Sequence, residues 1–286
     1  MKKLTVGSAM GLLILGNVIA VFSDALIKVV ANDVAVFQFV FFRQLAAVLI
    51  LIPFCLSMSK KSLWEGLKWH VLRGHIWLLG AVFMVVAIGS MPLATANAIF
   101  YAAPLMMLPL AMLLFKEKLS KTSCAAAVLG FAGVLVIIRP SELDWAAISA
   151  LVVALTLAMN NLLVRKLPTH QTVPQTLMLT NLVGIPASAA LMLWEGTPMD
   201  WSVFPMAAGS SSFIMIYAAT CVIAYRSIES NKIASAEYSG LLGAVAVGLI
   251  MFNEVPDWFM VVGTALIIVP MLIIARRKSD KVHSES

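Results

Sequence analysis

The chain has 286 residues, of which 61% are hydrophobic and 12% charged, and its mean hydropathy is +0.97. A water-soluble globular fold, with about 25% charged residues, is excluded. The net charge of +6 comes from Lys and Arg gathered between apolar blocks, so it is a membrane-topology signal and gives a nucleic-acid partner no weight.

Ten apolar blocks follow one another, at 8–30, 34–56, 74–91, 95–115, 122–138, 145–164, 172–194, 204–225, 233–253 and 256–276. Each is long enough to cross about 30 Å of hydrocarbon at a rise of 1.5 Å per residue. Without water, backbone groups there must pair within helices. The expected fold is therefore an all-α membrane protein of ten transmembrane helices. Lys2 and Lys3 precede an apolar run longer than a signal-peptide core, which reads as an uncleaved first helix.

Alternate connections separate the charges. One side collects Lys60, Lys61, Lys68, Arg73, Lys116, Lys118, Lys121, Arg165, Lys166, Arg226, Lys232 and the cluster 276–281. The other holds Arg139 with acids such as Asp33, Asp144, Glu195, Asp200, Glu254 and Asp257. The basic side is the cytoplasmic one, so both termini are expected in the cytoplasm. Only Lys28 and Arg43 fall well inside predicted spans, and the four histidines fall in connections, at the edge of a span or in the tail.

In the first span, Asn17, Asp24 and Lys28 are spaced by seven and four residues and share one helix face. Arg43 interrupts VFQFVFFRQLAAVLILIPF (36–54), and an arginine mid-membrane costs about 2.5–3.5 kcal/mol on insertion scales. By depth, Asp24 is its expected partner. Two readings of that pair stay open: a structural lock between the first two helices, or a network that faces a cavity and binds substrate. In the fourth span, Pro104 and Pro109 remove helix hydrogen bonds and permit bending. Ala126, Gly130 and Gly133 give the fifth span a small-residue face for helix packing.

The sixth span carries Asn160, Asn161 and Arg165, and the ninth carries Glu237 beside Tyr238. A carboxyl in a poorly hydrated site suits proton coupling or amine binding; the competing reading pairs Glu237 with Lys232 or Arg226 at the interface. Glu117 and Glu254 sit where one span ends and the next begins and read as architectural, with Ser120 and Asp257 as N-caps.

A shift of 137 residues lays the chain on itself without a gap. Tyr101 meets Tyr238, Glu117 meets Glu254, Asp24 meets Asn161 and Lys28 meets Arg165, while the span boundaries align five against five. Five is odd, so the halves enter the membrane in opposite senses, as in secondary transporters whose site lies between inverted repeats. The expected division is 1–140, 141–278 and a short cytoplasmic tail, 279–286.

SDALIK (23–28), FFRQLAAVLILIPF (41–54), PLATANAIFYAAPL (92–105), FKEKLSKTSCAAAVLGFAGVLVIIRP (115–140) and IASAEYSGLLGAVAVGLIMFNEVPDWFMVVGTALII (233–268) together resemble the drug/metabolite transporter superfamily, specifically its EamA-domain family. VLRG (71–74) and FNEVPD (252–257) are similar, more loosely, to the branch with S-adenosylmethionine and riboflavin carriers. The resemblance implies a secondary active transporter that moves a small metabolite, such as an amino acid or S-adenosylmethionine, by alternating access. It also implies a cavity built from spans 1, 3, 4, 6, 8 and 9. The expected substrate-binding residues are Asn17, Asp24, Arg43, Trp77, Asn97, Tyr101, Asn161, Tyr217, Glu237 and Tyr238, with Glu237 and Asp24 as coupling groups. Phe83, Phe100, Thr220, Tyr225 and Ser239 fill out the same cavity. A bacterial inner (plasma) membrane is the expected location, and a homodimer through the peripheral fifth and tenth spans is a further expectation of the resemblance.

Rival classes stay open: a broad-specificity drug/metabolite exporter, a membrane-embedded enzyme, a channel or a receptor-like binder. HExxH, GxSxG, GxGD, DDxxD and nucleotide-binding loops are missing from the sequence. No metal site or cofactor is expected, because no Cys/His cluster occurs. Cys55, Cys124 and Cys221 lie far apart and imply no disulfide framework.

Overall fold

A computed structural model describes residues 4–56, 65–116, 121–139 and 144–270. Among these the regular structure is helical throughout: α1 Val6–Val30, α2 Val36–Cys55, α3 Leu67–Ser90, α4 Leu93–Phe100, α5 Ala103–Phe115, α6 Lys121–Ile138, α7 Trp145–Leu163, α8 Val173–Leu182, α9 Ile185–Glu195, α10 Phe204–Ser227 and α11 Ser239–Phe252. A last helix, α12, runs over Trp258–Pro270. Among the described residues, eight stretches are long and apolar enough to cross a membrane, and Cys124–Ile138 and Trp258–Pro270 are shorter apolar helices. Leu113, Val128, Leu193 and Ile250 stand exposed on the outside, as a lipid-facing surface requires.

Local chemistry sets the helix ends. Thr5 and Ser8 form a capping box on α1, Thr172 and Gln175 another on α8, and Asp144 accepts from the Ala147 N–H at 2.8 Å to start α7. Lys116 and Asn253 both close their helices in the left-handed conformation, with φ of 54° and 52°. These two positions are 137 residues apart. Asp257 caps α12 as expected, accepting from Met260 N–H at 2.7 Å, whereas Ser120 and Glu117 lie outside the described residues.

Three expected spans are interrupted. The fourth breaks at Tyr101–Ala102, just ahead of Pro104, and the seventh breaks at Val183–Gly184, just ahead of Pro186. The ninth is a helical turn, Ser230–Ile233, then the 3₁₀ segment Ala234–Tyr238, then α11. Proline at a helix start explains the first two breaks. The third expected span begins too late at residue 74: α3 starts at Leu67, after Gly66 at φ 70°. His70 and Arg73 are therefore helical rather than loop residues, His75 lies well inside α3 rather than at its edge, and Arg226 lies in α10.

Close packing pairs α1 with α10 and α3 with α7. A Cβ on Gly16 would collide with Thr220, and one on Gly80 with Thr156, so each pair approaches through a glycine. The α2 helix packs on α8 and α9, and α6 crosses α12 where Gly133 meets the Gly263 backbone. The small face of α6 is thus used within the chain, with Gly130 covered by Leu105. Shifting by 137 residues converts α1–α10 into α7–α3 and maps α2 onto α8–α9.

Candidate functional site

The broken fourth and ninth spans flank a cavity whose unfilled space, about 480 Å³, includes space open to the exterior. Asn17 and Asp24 reach it from α1, Asn97 and Phe100 from α4, Tyr101 from the break, Asn161 from α7 and Tyr217 from α10; Glu237 enters from the 3₁₀ segment. Glu237 is the best-partnered acid here. Its Oε1 accepts from the Tyr225 hydroxyl at 2.7 Å and from Asn161 Nδ2 at 3.4 Å, and its Oε2 from the Tyr217 hydroxyl at 3.4 Å. Asp24 is served far less well, with Asn97 beside it and Oδ1 without a hydrogen-bond partner.

Met84, Leu157 and Ile214 also line a second space, with Arg43, Trp77, Thr156 and Asn160 in its wall. Arg43 and Trp77 extend into a smaller recess with Gln44, Asn181 and Ser211. The three spaces adjoin one another through these shared wall residues, with acids in the first, Arg43 in the other two, and Met84, Leu157 and Ile214 as an apolar collar between. Arg43 is buried, its backbone carbonyl accepts from Ser211 Oγ at 2.9 Å, and its Nη2 reaches Ser23 Oγ at 3.5 Å. Ser23 in turn meets Ser210 Oγ at 2.8 Å.

The expected Asp24–Arg43 ion pair is not formed. The two groups influence each other electrostatically, but no nitrogen–oxygen approach within 4.0 Å joins them. The reason is direction: Arg43 turns toward the Ser23–Ser210 side of α1 and the Trp77 recess, and Asp24 toward Asn97. Lys28 is no part of that network either. Its Nζ donates to the Met91 carbonyl at 2.7 Å and pairs with Glu254 Oε1 at 3.3 Å. Glu254 Oε2 also accepts the Leu93 N–H at 2.6 Å, so this carboxylate serves the N-terminus of α4 rather than that of the next span.

Nine of the ten expected site residues line the two adjoining cavities: Asn17, Asp24, Asn97, Tyr101, Asn161, Tyr217 and Glu237 in the first, Arg43 and Trp77 in the second. Tyr238 does not; it is buried beside them in the core, with its hydroxyl unpartnered. Being next to Glu237 in a 3₁₀ segment sends the two side chains different ways. Phe83 also points elsewhere, packing on Trp145 with ring centroids 6.1 Å apart. Glu237 finds its partners in tyrosines and an amide, not in Lys232, which pairs with Glu229 at 3.0 Å. Arg165 and Lys166 lie over the Phe115 ring at 4.2 and 4.9 Å.

Sequence reasoning missed Gln44, Thr156, Asn181 and the collar residues, which look like ordinary span residues until the helix faces are known. It also missed a basic cluster of buried His70 and Arg73 on α3 and half-buried Arg226 on α10, held in part by threonines of α8. Arg73 donates to the Asn160 carbonyl at 3.2 Å and to Thr180 Oγ1 at 2.9 Å, His70 Nε2 to Gln171 Oε1 at 2.9 Å, and Arg226 to the Gln171 carbonyl at 2.7 Å and Thr176 Oγ1 at 2.8 Å. Among the described residues, no group of three His, Cys, Asp or Glu side chains is placed to hold a metal ion.

Comparison with known proteins adds four findings. Residues 7–139 match the EamA-like transporter family. An S-adenosylmethionine uptake transporter of Rickettsia prowazekii is 25% identical over 275 residues, covering 92% of each chain. A pseudopaline exporter of Pseudomonas aeruginosa is 23% identical over 262 residues, covering 89% of this chain and 91% of its own. A solved crystal structure superposes with a TM-score of 0.69 at 17% identity, covering 96% of this chain and 100% of that one, a likeness of fold alone.

Proposed function

We propose, from the premise that residues 7–139 belong to the EamA-like transporter family and that the chain is a transporter rather than an enzyme, that it is a secondary transporter working by alternating access. The cargo is a small metabolite of the amino-acid or heteroaromatic-cofactor kind, with S-adenosylmethionine the first compound to try. The observation that carries this reading is the pair of adjoining spaces, one with Asp24 and Glu237 and the other with Arg43, lined by helices of both halves of the chain. A concave space with a few placed polar groups in an otherwise apolar wall is what a small-molecule site requires.

The two halves act as inverted five-helix repeats, 1–140 and 141–278. Support comes from the exchange of α1–α10 for α7–α3 under the 137-residue shift, and from the matching left-handed caps at Lys116 and Asn253. Interrupted helices beside the cavity support it too, since transporter sites recur at such breaks. Asp24 and Glu237 are the coupling groups in this scheme, and the bacterial plasma membrane, with both termini cytoplasmic, is its setting. Export rather than uptake is the second reading, favoured by the likeness to the pseudopaline exporter.

Flux in proteoliposomes loaded with amino acids, S-adenosylmethionine, riboflavin and nucleosides tests the function, with mass spectrometry reading which compound exchanges. Selective exchange that is lost in folded Arg43→Ala protein is the expected result. Folded wild-type protein that exchanges none of them, with and without a proton gradient, overturns the proposed cargo class. Loading the panel on either face separates uptake from export.

A further inference from the structure

Among the described residues, six buried side-chain atoms of the adjoining cavities have no hydrogen-bond partner: Asp24 Oδ1, Arg43 Nε and Nη1, both amide atoms of Gln44, and Asn160 Oδ1. Buried polar atoms are nearly always paired, because leaving one dry is costly. Gathered around these spaces, they are positioned to meet a ligand's polar groups. Arg43 is the sharpest case, a buried guanidinium with 6% exposure whose side-chain hydrogen bond to a described residue is a long one to Ser23.

The adjoining spaces are also polarised. Among the described residues, no carboxylate lines the two spaces around Arg43, and no Lys or Arg lines the space around Asp24 and Glu237. A buried guanidinium calls for an anion, most of all an oxyanion that can take charge-assisted hydrogen bonds. The acidic space, ringed by Phe100, Tyr101 and Tyr217, calls for a cation, which those aromatic rings also attract. A simple anion would leave the acids unanswered, and a simple amine would leave Arg43 unanswered.

We infer that the Arg43 space is a carboxylate subsite and that the cargo is a zwitterion, its carboxylate held by Arg43 and Gln44 and its cationic group lying across the Met84–Leu157–Ile214 collar toward Asp24. This inference rests on the transporter reading of the cavity and narrows it. Asn160 and Trp77 flank the carboxylate and set its approach. Glu237, already supplied by Tyr225, Tyr217 and Asn161, stays with the protein, so Asp24 with its unpartnered Oδ1 is the acid that meets the cargo.

Binding to the full-length purified protein, measured by equilibrium dialysis, tests this without requiring turnover. The probes are pairs that differ only at the carboxylate: S-adenosylmethionine and its decarboxylated analogue, methionine and methioninamide, leucine and leucinamide. At least one acid should bind about 10- to 100-fold tighter than its partner. Arg43→Gln should bring that ratio close to one, and Arg43→Lys should keep part of it. If the Arg43 variants fail to fold, Asn160→Asp, which sets an anion beside Arg43, should weaken the acid and spare the amide. A wild-type ratio near one, a ratio that survives these substitutions, or no acid bound at millimolar concentration overturns the inference. Acids that bind with the expected ratio yet never cross a sealed bilayer sink the transporter reading while the subsite stands. Flux of acid and amide at equal rates does the reverse.

Discussion

Tyr225 donates its hydroxyl to Glu237 Oε1 at 2.7 Å, the shortest of the three hydrogen bonds that hold this carboxylate. The bond joins α10 to the 3₁₀ segment ahead of α11, so one pair ties the floor of the cavity to the break in the ninth span. Tyr225→Phe removes the donor while keeping the ring. It should destabilise the protein by about 1–3 kcal/mol, the cost of leaving a buried acceptor short of a partner. Thermal unfolding in detergent measures this.

Glu237→Gln keeps an acceptor for Tyr225 and removes the titrating group. If Glu237 couples protons, transport in the variant should lose its dependence on external pH while exchange of cargo persists. Uptake and exchange compared between pH 5.5 and 8 decide this, and an unchanged pH profile removes Glu237 from the coupling scheme. The same comparison with Asp24→Asn should lower cargo binding as well, because Asp24 offers an unpartnered oxygen to the cavity and Glu237 does not.

Glu254 performs two tasks, an ion pair with Lys28 and a cap on the Leu93 N–H. Glu254→Gln gives up the first and retains the second, whereas Glu254→Ala gives up both. The alanine variant should therefore be less stable than the glutamine variant by about 0.5–2 kcal/mol, the usual value of a helix cap. Equal melting temperatures for the two would show that the cap contributes nothing.

Gly133 and Gly263 touch through backbone, with an added Cβ at either position meeting the other's carbonyl oxygen at 2.5 Å. A carbonyl cannot swing aside as a side chain can. Gly133→Val should cost about 1–3 kcal/mol in overpacking and lower the yield of folded protein, while Gly7→Ala, with nothing within 4 Å, should leave both unchanged. Size-exclusion profiles and melting temperatures compare the two.

Hydropathy and charge revealed the helical membrane class and most of the cavity's polar residues, because both are written in residue type. An acid or an amide inside an apolar block announces itself wherever it points. Direction is not written there. Arg43 and Asp24 have the right depths to pair, yet the side chains turn to different neighbours, and only the rotation of α1 against α2 decides that. Tyr238 failed for a similar reason, since helical spacing says little about facing inside a 3₁₀ turn. The start of α3 was misplaced because His70 and Arg73 look like loop residues by polarity alone. Their partners, Gln171, Thr180 and the Asn160 carbonyl, lie about a hundred residues further along.

Gly16 sits one residue from Asn17 and faces Thr220 so closely that a methyl group has no room between them. The approach of α1 to α10 is therefore limited by a residue that does not line the cavity. Under the proposed function, a larger residue at position 16 should act as a shim, widening the space for bulkier cargo from behind the wall while every contacting side chain stays the same.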